Sequence, residues 1–417
     1  MIEKRCDIMK KFICLLIGII ILVSNTAFAF DLQTSSGNVI LADGSGGIVL
    51  YEKNADAKFS PMHLTKIVTA MVVIENTKNL DEEITADPDI INSSDFSFGN
   101  MGILSGETLT VRDLLYGMML YDAGEAANLL ADCTFGDKKE FVKKMNEYAV
   151  NVGAENTNFV NANGKHNADQ YTTARDMFKI VKNAMQNETF SKIAGTVMYT
   201  MEPTNKYKEK RYLSNKNALL STYREQGYYY RNAIGVKSSY FDGVSHLASA
   251  AKRGNTYLIC ITANAKTDSV GNHAYLDAIE LYKNGFENFS SIKFESRDDI
   301  IDEGIIRNGK NADRVLLVSG SDIFLGLPKD YNEEKLERKI YVSDKIKAPV
   351  KKGDALGSIT YTYDGNVISK TSLVASEDIQ RDIIKGTMYW VKKVGTSMWF
   401  LVPAVLVLAL IILRKMR

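Results

Sequence analysis

Residues 396–413 carry no charged side chain, and Arg414, Lys415 and Arg417 follow at once. A run of eighteen such residues, rich in Leu, Val, Ile and Ala, is near the shortest that crosses a bilayer as a helix. Trp390 and Trp399 stand at its outer end, where interfacial aromatics belong, and the terminal cations belong on the cytoplasmic side. Pro403 permits a kink without forbidding the span. At the other end, Lys4, Arg5, Lys10 and Lys11 precede an apolar run over residues 12–23, and then comes Ala27-Phe28-Ala29. A basic patch, a short apolar core and a small-x-small tripeptide predict a secretory signal over residues 1–29. An uncleaved anchor is the alternative, but the run is shorter than the ~20 residues a span requires. These ends predict that everything between them folds outside the cytoplasmic membrane.

That body, residues 30–395, is long enough for two domains. Lys plus Arg number 51 against 50 Asp plus Glu, a formal charge of +1, so no nucleic-acid partner is expected. Cys6 and Cys14 lie in the signal segment, leaving Cys133 and Cys260. Two distant cysteines in apolar patterns read as small buried side chains rather than a disulfide. Four histidines and no Cys/His cluster with ligand spacing argue against a metal site.

The pattern of apolar residues changes along the body. Val39-Ile40-Leu41 and Ile48-Val49-Leu50-Tyr51 flank Gly46-Gly47, a hairpin signature. Residues 64–76, 111–133 (interrupted at 121–124), 138–152 and 173–187 have helical periodicity. Residues 234–239, 245–251 and 257–263 alternate as strands, and 277–289 returns to helix. Strands, a helical block, strands and a closing helix make an α/β arrangement. From about residue 292 to 378 the texture is short β-rich runs with turns at Gly320, Gly353 and Asp364-Gly365, which predicts a small antiparallel β domain of the sandwich type. An amphipathic linker, residues 379–395, leads to the anchor.

Several phrases resemble the penicillin-binding D-alanyl-D-alanine carboxypeptidases, serine peptidases of peptidoglycan. They include Leu50-Tyr51-Glu52-Lys53-Asn54-Ala55-Asp56, Thr65-Lys66-Ile67-Val68-Thr69-Ala70, Gly106-Glu107-Thr108-Leu109-Thr110-Val111-Arg112-Asp113, Phe159-Val160-Asn161-Ala162-Asn163-Gly164, Tyr171-Thr172-Thr173-Ala174-Arg175-Asp176 and Ala248-Ser249-Ala250-Ala251-Lys252-Arg253. In the tail, Ala348-Pro349-Val350-Lys351-Lys352-Gly353 and Leu373-Val374-Ala375 resemble the C-terminal β domain of that family. The resemblance implies an α/β (α+β) β-lactamase/DD-peptidase-like domain over residues 30–291, an antiparallel β-sandwich domain over 292–378, and the transmembrane anchor. It implies no cofactor, and as partners peptidoglycan or its stem peptides and the cytoplasmic membrane.

The resemblance also locates three motifs. Ser-x-x-Lys supplies a nucleophile and the lysine that helps deprotonate it; here Pro61-Met62-His63-Leu64-Thr65-Lys66 puts His63 at the nucleophile position and keeps Lys66. Ser-x-Asn lines the opposite wall; here Asp122 and Gly124 hold those positions. Lys-Thr-Gly lies on an edge strand and binds the terminal carboxylate; here it reads Lys237-Ser238-Ser239. An imidazole cannot form the serine ester of this mechanism, Asp122 adds negative charge beside the carboxylate site, and Ser239 adds a side chain where glycine permits close approach. Ser60 lies outside the motif. Ser290-Ser291-Ile292-Lys293 matches Ser-x-x-Lys without companion motifs, and so short a pattern arises readily by chance. His63 with Asp122 imitates a base and its orienting acid but lacks a nucleophile. Two expectations follow: an inactive homologue acting as scaffold or peptidoglycan-binding module, or an active but atypical carboxypeptidase. His63, Lys66, Asp122 and Lys237 are expected to converge in one cleft.

Overall fold

In the computed structural model, which describes residues 32–94, 99–222 and 226–382 together with 411 and 414, contacts divide the chain into two units. One comprises Met1–Ser291 with Gly326–Tyr331, the other Ile292–Leu325 with Asn332–Arg417. The expected signal segment and anchor lie outside the described residues, apart from isolated positions 411 and 414. Among the described residues no helix is long and apolar enough to cross a membrane.

The first unit is built on a five-stranded antiparallel sheet. Its strands are β1 (Asn38–Asp43), β2 (Val49–Lys53), β3 (Ala233–Phe241), β4 (Val244–Arg253) and β5 (Thr256–Lys266), in the order β2-β1-β5-β4-β3. Successive side chains on a strand point to opposite faces, and here both faces are covered. Ile40, Ala42, Ile259, Ile261, Ala248 and Ala250 join the core of the helical block. On the other face Thr262 donates to the Ala274 carbonyl at 2.9 Å, and Tyr282 donates to Ser249 at 2.9 Å. Both partners belong to a helix over His273–Asn288. Both faces are buried, yet polar residues such as Ser249 and Thr262 on the helix-covered face keep the period-two alternation visible in the sequence. This last helix starts a turn earlier than its apolar periodicity, because Asn272 caps it by accepting from the Ala274 N–H.

The helical block surrounds one helix, α1 (Thr65–Asn76), entered through a 3-10 turn over Met62–Leu64. Every residue of α1 from Thr65 to Val73 is buried, Lys66 and the two threonines included. Helix α2 (Val111–Tyr121) begins with a capping box between Thr110 and Asp113 and ends at Asp122. Helix α3 (Gly124–Phe135) follows after Ala123. The chain continues through α4 (Lys138–Asn151), α5 (Ala174–Ala184) and α6 (Glu188–Gly195). The last of these is absent from the expected helices: Asn187, the final residue of the expected helix over 173–187, caps the next by accepting from the Phe190 N–H at 3.0 Å. Cys260 is buried, but Cys133 is exposed, and both are free thiols. Position 133 falls on the outer side of α3, whose inner side is Ala126, Ala127, Leu130 and Ala131.

The second unit is β-rich. Its six-stranded sheet runs, in order, Leu336–Val342, Ala355–Tyr363, Asn366–Ala375, Arg314–Ser319, Ile300–Arg307 and Ile346–Lys347. The expectation of a wholly antiparallel domain is corrected at one place, since Ile306 and Arg307 pair in parallel with Ile346 and Lys347. The long connection between them makes a parallel pairing possible. Ile379 and Arg381, read from the sequence as linker, form bridges to Val350 and Gly309.

Candidate active site

The 3-10 turn that leads into α1 is held by the chain around it. Met62 has a left-handed φ of 47°, unusual for a residue with a side chain. It is held against Gly164, where a Cβ would lie 2.1 Å from the Met62 carbonyl oxygen. Thr69 donates to the Ala162 carbonyl at 2.7 Å, and Gln170 accepts from the Val160 N–H at 3.0 Å. The loop over residues 159–170 thus fastens the start of α1, which explains why Phe159 to Gly164 stands out in the sequence although it carries no catalytic side chain.

His63 is buried at 5% exposure, and its backbone N–H donates to Ser239 Oγ at 3.2 Å. One turn on, Lys66 is fully buried with Nζ 2.8 Å from His63 Nδ1. Burial first, and the Lys66 charge second, push the imidazole well below its usual range, so the ring is neutral. Burial also pulls the Lys66 amine down to about 7, against the opposing pull of Asp122. When Lys66 is an ammonium it donates to Nδ1, and the ring proton sits on Nε2. When it loses its proton the amine nitrogen gains a lone pair and is able to accept from Nδ1–H as well as to donate.

Asp122 closes α2 in a left-handed conformation, φ 65°, which aspartate tolerates better than most residues. That turn points its carboxylate at two amines. Oδ1 accepts from buried Lys237 Nζ on the edge strand β3, and Oδ2 lies 3.4 Å from Lys216 Nζ. Burial raises this carboxyl, but the surrounding amines, Lys237 foremost, outweigh it and hold the group well below the usual carboxylate range. Lys237 also donates to the Met119 carbonyl at 2.7 Å. Ser238 and Ser239 follow on β3, both buried. The Ser239 hydroxyl is turned toward the His63 backbone. Gly124 begins α3, its N–H donating to the Gly99 carbonyl at 2.9 Å.

His63, Asp122, Ser238 and Ser239 open onto a cleft of about 610 Å3, which Asn100, Lys216, Tyr228, Asn272 and Tyr275 also line. His63, Lys66, Asp122 and Lys237 are therefore brought together, as are Ser238 and Ser239. Among the described residues no cluster of His, Cys, Asp or Glu is arranged to hold a metal.

A family model described as D-alanyl-D-alanine carboxypeptidase matches residues 24–267. The chain belongs to the D-alanyl-D-alanine carboxypeptidase family. A second model, described as the C-terminal domain of penicillin-binding protein 5, matches residues 289–381. The carboxypeptidase DacF of Bacillus subtilis is 28% identical over 388 residues, covering 89% of this chain and 95% of that protein. The D-alanyl-D-alanine carboxypeptidase of Streptomyces sp. strain K15 is 35% identical over 239 residues, 54% of this chain and 78% of that one. The structure of penicillin binding protein 5 from Haemophilus influenzae superposes with a TM-score of 0.68 at 24% identity, covering 84% of this chain and 99% of that one. At that identity the likeness speaks for the fold.

Within this carboxypeptidase-family cleft, sequence reasoning missed Lys216. It sits between Asn215 and Asn217, whose side chains accept from the Asn217 and Leu219 N–H groups at 2.9 and 3.1 Å. Asn-x-Asn is a turn signature, and a cation at its centre was the available signal. Tyr228 lines the cleft: its hydroxyl accepts from the Asn272 N–H at 2.6 Å and its ring stacks on Tyr275 at 5.0 Å. Tyr230 does pack conventionally, stacked on Tyr282 at 5.5 Å. The two hydroxyl alternatives lie elsewhere. Ser60 Oγ is 3.5 Å from exposed His166. Ser290 and Lys293 lie on a strand over Phe289–Glu295, where positions three apart point to opposite faces, and Lys293 pairs with Asp322 at 3.0 Å.

Proposed function

We propose that this chain is a catalytically silent member of its family, which binds peptidoglycan stem peptides or serves as a scaffold at the cell wall without hydrolysing them. One observation carries the reading: where a nucleophilic hydroxyl should stand three residues before Lys66 there is an imidazole, bonded to the Lys66 amine at 2.8 Å. The base and the residue it should activate are tied to each other, and neither presents an oxygen for the acyl ester. Loss of a serine nucleophile in such a unit costs on the order of 10⁶ in turnover. The Asp122 carboxylate on Lys237 supports the same reading.

The test is covalent labelling. The wild-type chain incubated with a fluorescent penicillin should carry no adduct, and it should release no D-Ala from a pentapeptide. A stable adduct mapped by mass spectrometry to a cleft residue overturns the reading. It would favour the second one, an active atypical carboxypeptidase, for which the Lys66 amine near 7 is the specific support, since a group titrating there exchanges protons at neutral pH.

The address of the protein belongs to the same proposal. The basic and apolar N-terminus with Ala27-Phe28-Ala29, and the uncharged run over residues 396–413 before Arg414 and Lys415, support export and anchoring in the cytoplasmic membrane with the folded units outside. Ending the chain after Lys393 should convert it from a membrane-bound to a soluble secreted form. A truncated protein that still sediments with membranes counts against the anchor.

A further inference from the structure

The charges of the cleft are organised around Asp122. Lys237 is 1% exposed, and two acceptors inside the protein, the Asp122 carboxylate and the Met119 carbonyl, are already in place on its amine. The second carboxylate oxygen faces Lys216, whose side chain is 33% exposed, across 3.4 Å. The backbone of residue 122 is held in its left-handed turn by Gly99, where a Cβ would lie 2.6 Å from the Asp122 carbonyl oxygen. Among the described residues lining the cleft, the charged side chains are Asp122 and Lys216, which face each other. The remaining polar wall consists of amides and hydroxyls, among them Asn100, Ser238, Thr267, Asn272 and Tyr228.

We infer that Asp122 makes this cleft selective for peptide ligands without a free terminal carboxylate, its own carboxylate standing on the lysines where such a group would bind. The inference rests on the peptide-binding reading above and names the ligand class. A carboxylate is an acceptor only, so a ligand ending in one would set two acceptors of like charge against each other in a partly desolvated place. A carboxamide, or the internal amide of a longer chain, has both functions. Its N–H donates to Asp122 Oδ2, where the 3.4 Å separation from Lys216 leaves an acceptor direction open, and its carbonyl accepts from the Lys216 ammonium. Selectivity of this kind comes as much from repelling the wrong ligand as from holding the right one.

The test compares one ligand in two forms on the full chain: diacetyl-L-lysyl-D-alanyl-D-alanine as the free acid and as its C-terminal carboxamide, titrated at neutral pH by calorimetry. The carboxamide should bind about 10-fold or more tightly than the acid, because like-charge juxtaposition is strongly unfavourable. Asp122→Asn, a side chain that also tolerates the left-handed turn, should erase or reverse the ratio. Lys216→Gln, at a partly exposed position, should leave the fold intact and widen it. Equal or tighter binding of the acid by wild type overturns the inference and leaves the peptide-binding reading standing. Binding of neither form, by wild type or by Asp122→Asn, overturns both.

Discussion

The combined variant His63→Ser, Asp122→Ser, Gly124→Asn and Ser239→Gly is expected to take up labelled penicillin slowly but covalently, where the wild-type chain takes up none. The four changes restore the hydroxyl three residues before Lys66, free Lys237 from its internal acid, return an amide to the start of α3 and clear the edge strand. Lys66, which is fully buried, then has the serine hydroxyl rather than an imidazole nitrogen beside its amine. His63→Ser alone should give little, since Asp122 still occupies Lys237 and groups that act as a unit are non-additive. The combined variant should therefore exceed the single one by on the order of 10³-fold in acylation rate. A single variant that labels as fast as the combined one would show that the other three positions do not matter, and the account of the site would fail.

Lys237→Met is expected to be the most destabilising single change at the site, lowering unfolding free energy by about 3–5 kcal/mol. Methionine fills a similar volume, so the loss reports the Asp122 carboxylate left in a buried place without its closest counter-charge. The double variant Lys237→Met with Asp122→Asn should recover most of that loss, because the uncompensated charge is gone; denaturant unfolding of the set forms a double-mutant cycle. The pH dependence carries the same signature. The folded-state pKa of Asp122 is depressed, so its contribution is fully present above the unfolded carboxyl value, near 3.8, and is lost as pH falls through and below it. Wild type should lose this component on acidification, whereas the double variant has none to lose. Additive single-variant effects would refute the coupling.

How far the sequence disclosed this molecule depended on whether local pattern or distant geometry decided the residue in question. Helix α1 and the five strands were legible because their apolar residues recur at a recognisable period, helical in one case and two in the others. The positions of His63, Lys66, Asp122 and Lys237 were legible from their motif neighbours, yet the direction of the Asp122 carboxylate was not. That direction follows from a left-handed turn fastened by Gly99, which is remote in sequence. Lys216 was missed for a related reason: nothing in Asn215-Lys216-Asn217 announces that the turn sets its amine opposite a helix end more than ninety residues earlier. The hairpin of Met198–Met201 with Arg211–Ser214 also went unread. Its strands are four residues each, too short for alternation to register, and Arg211 is buried through a two-pronged bond to Glu107 at 2.6 and 2.9 Å.

The enclosure of α1 from Thr65 to Val73 bears on what kind of signal this protein can send. Its first turn holds Lys66, the 3-10 turn before it holds His63 and Leu64, and Leu64, Ile67, Val68, Ala70 and Val73 are all at 0% exposure. An element packed this tightly does not shift by fractions of a turn; it either stays in place or the whole unit opens. A ligand entering the cleft therefore meets one rigid wall, whose amides should exchange with solvent only through global opening. The parts left to register occupancy are the partly exposed Lys216 side chain and the exposed end of β3 at Tyr240 and Phe241, all of which line the cleft. A partner that distinguishes the filled from the empty protein would have to read that surface, not the buried centre around His63 and Lys66.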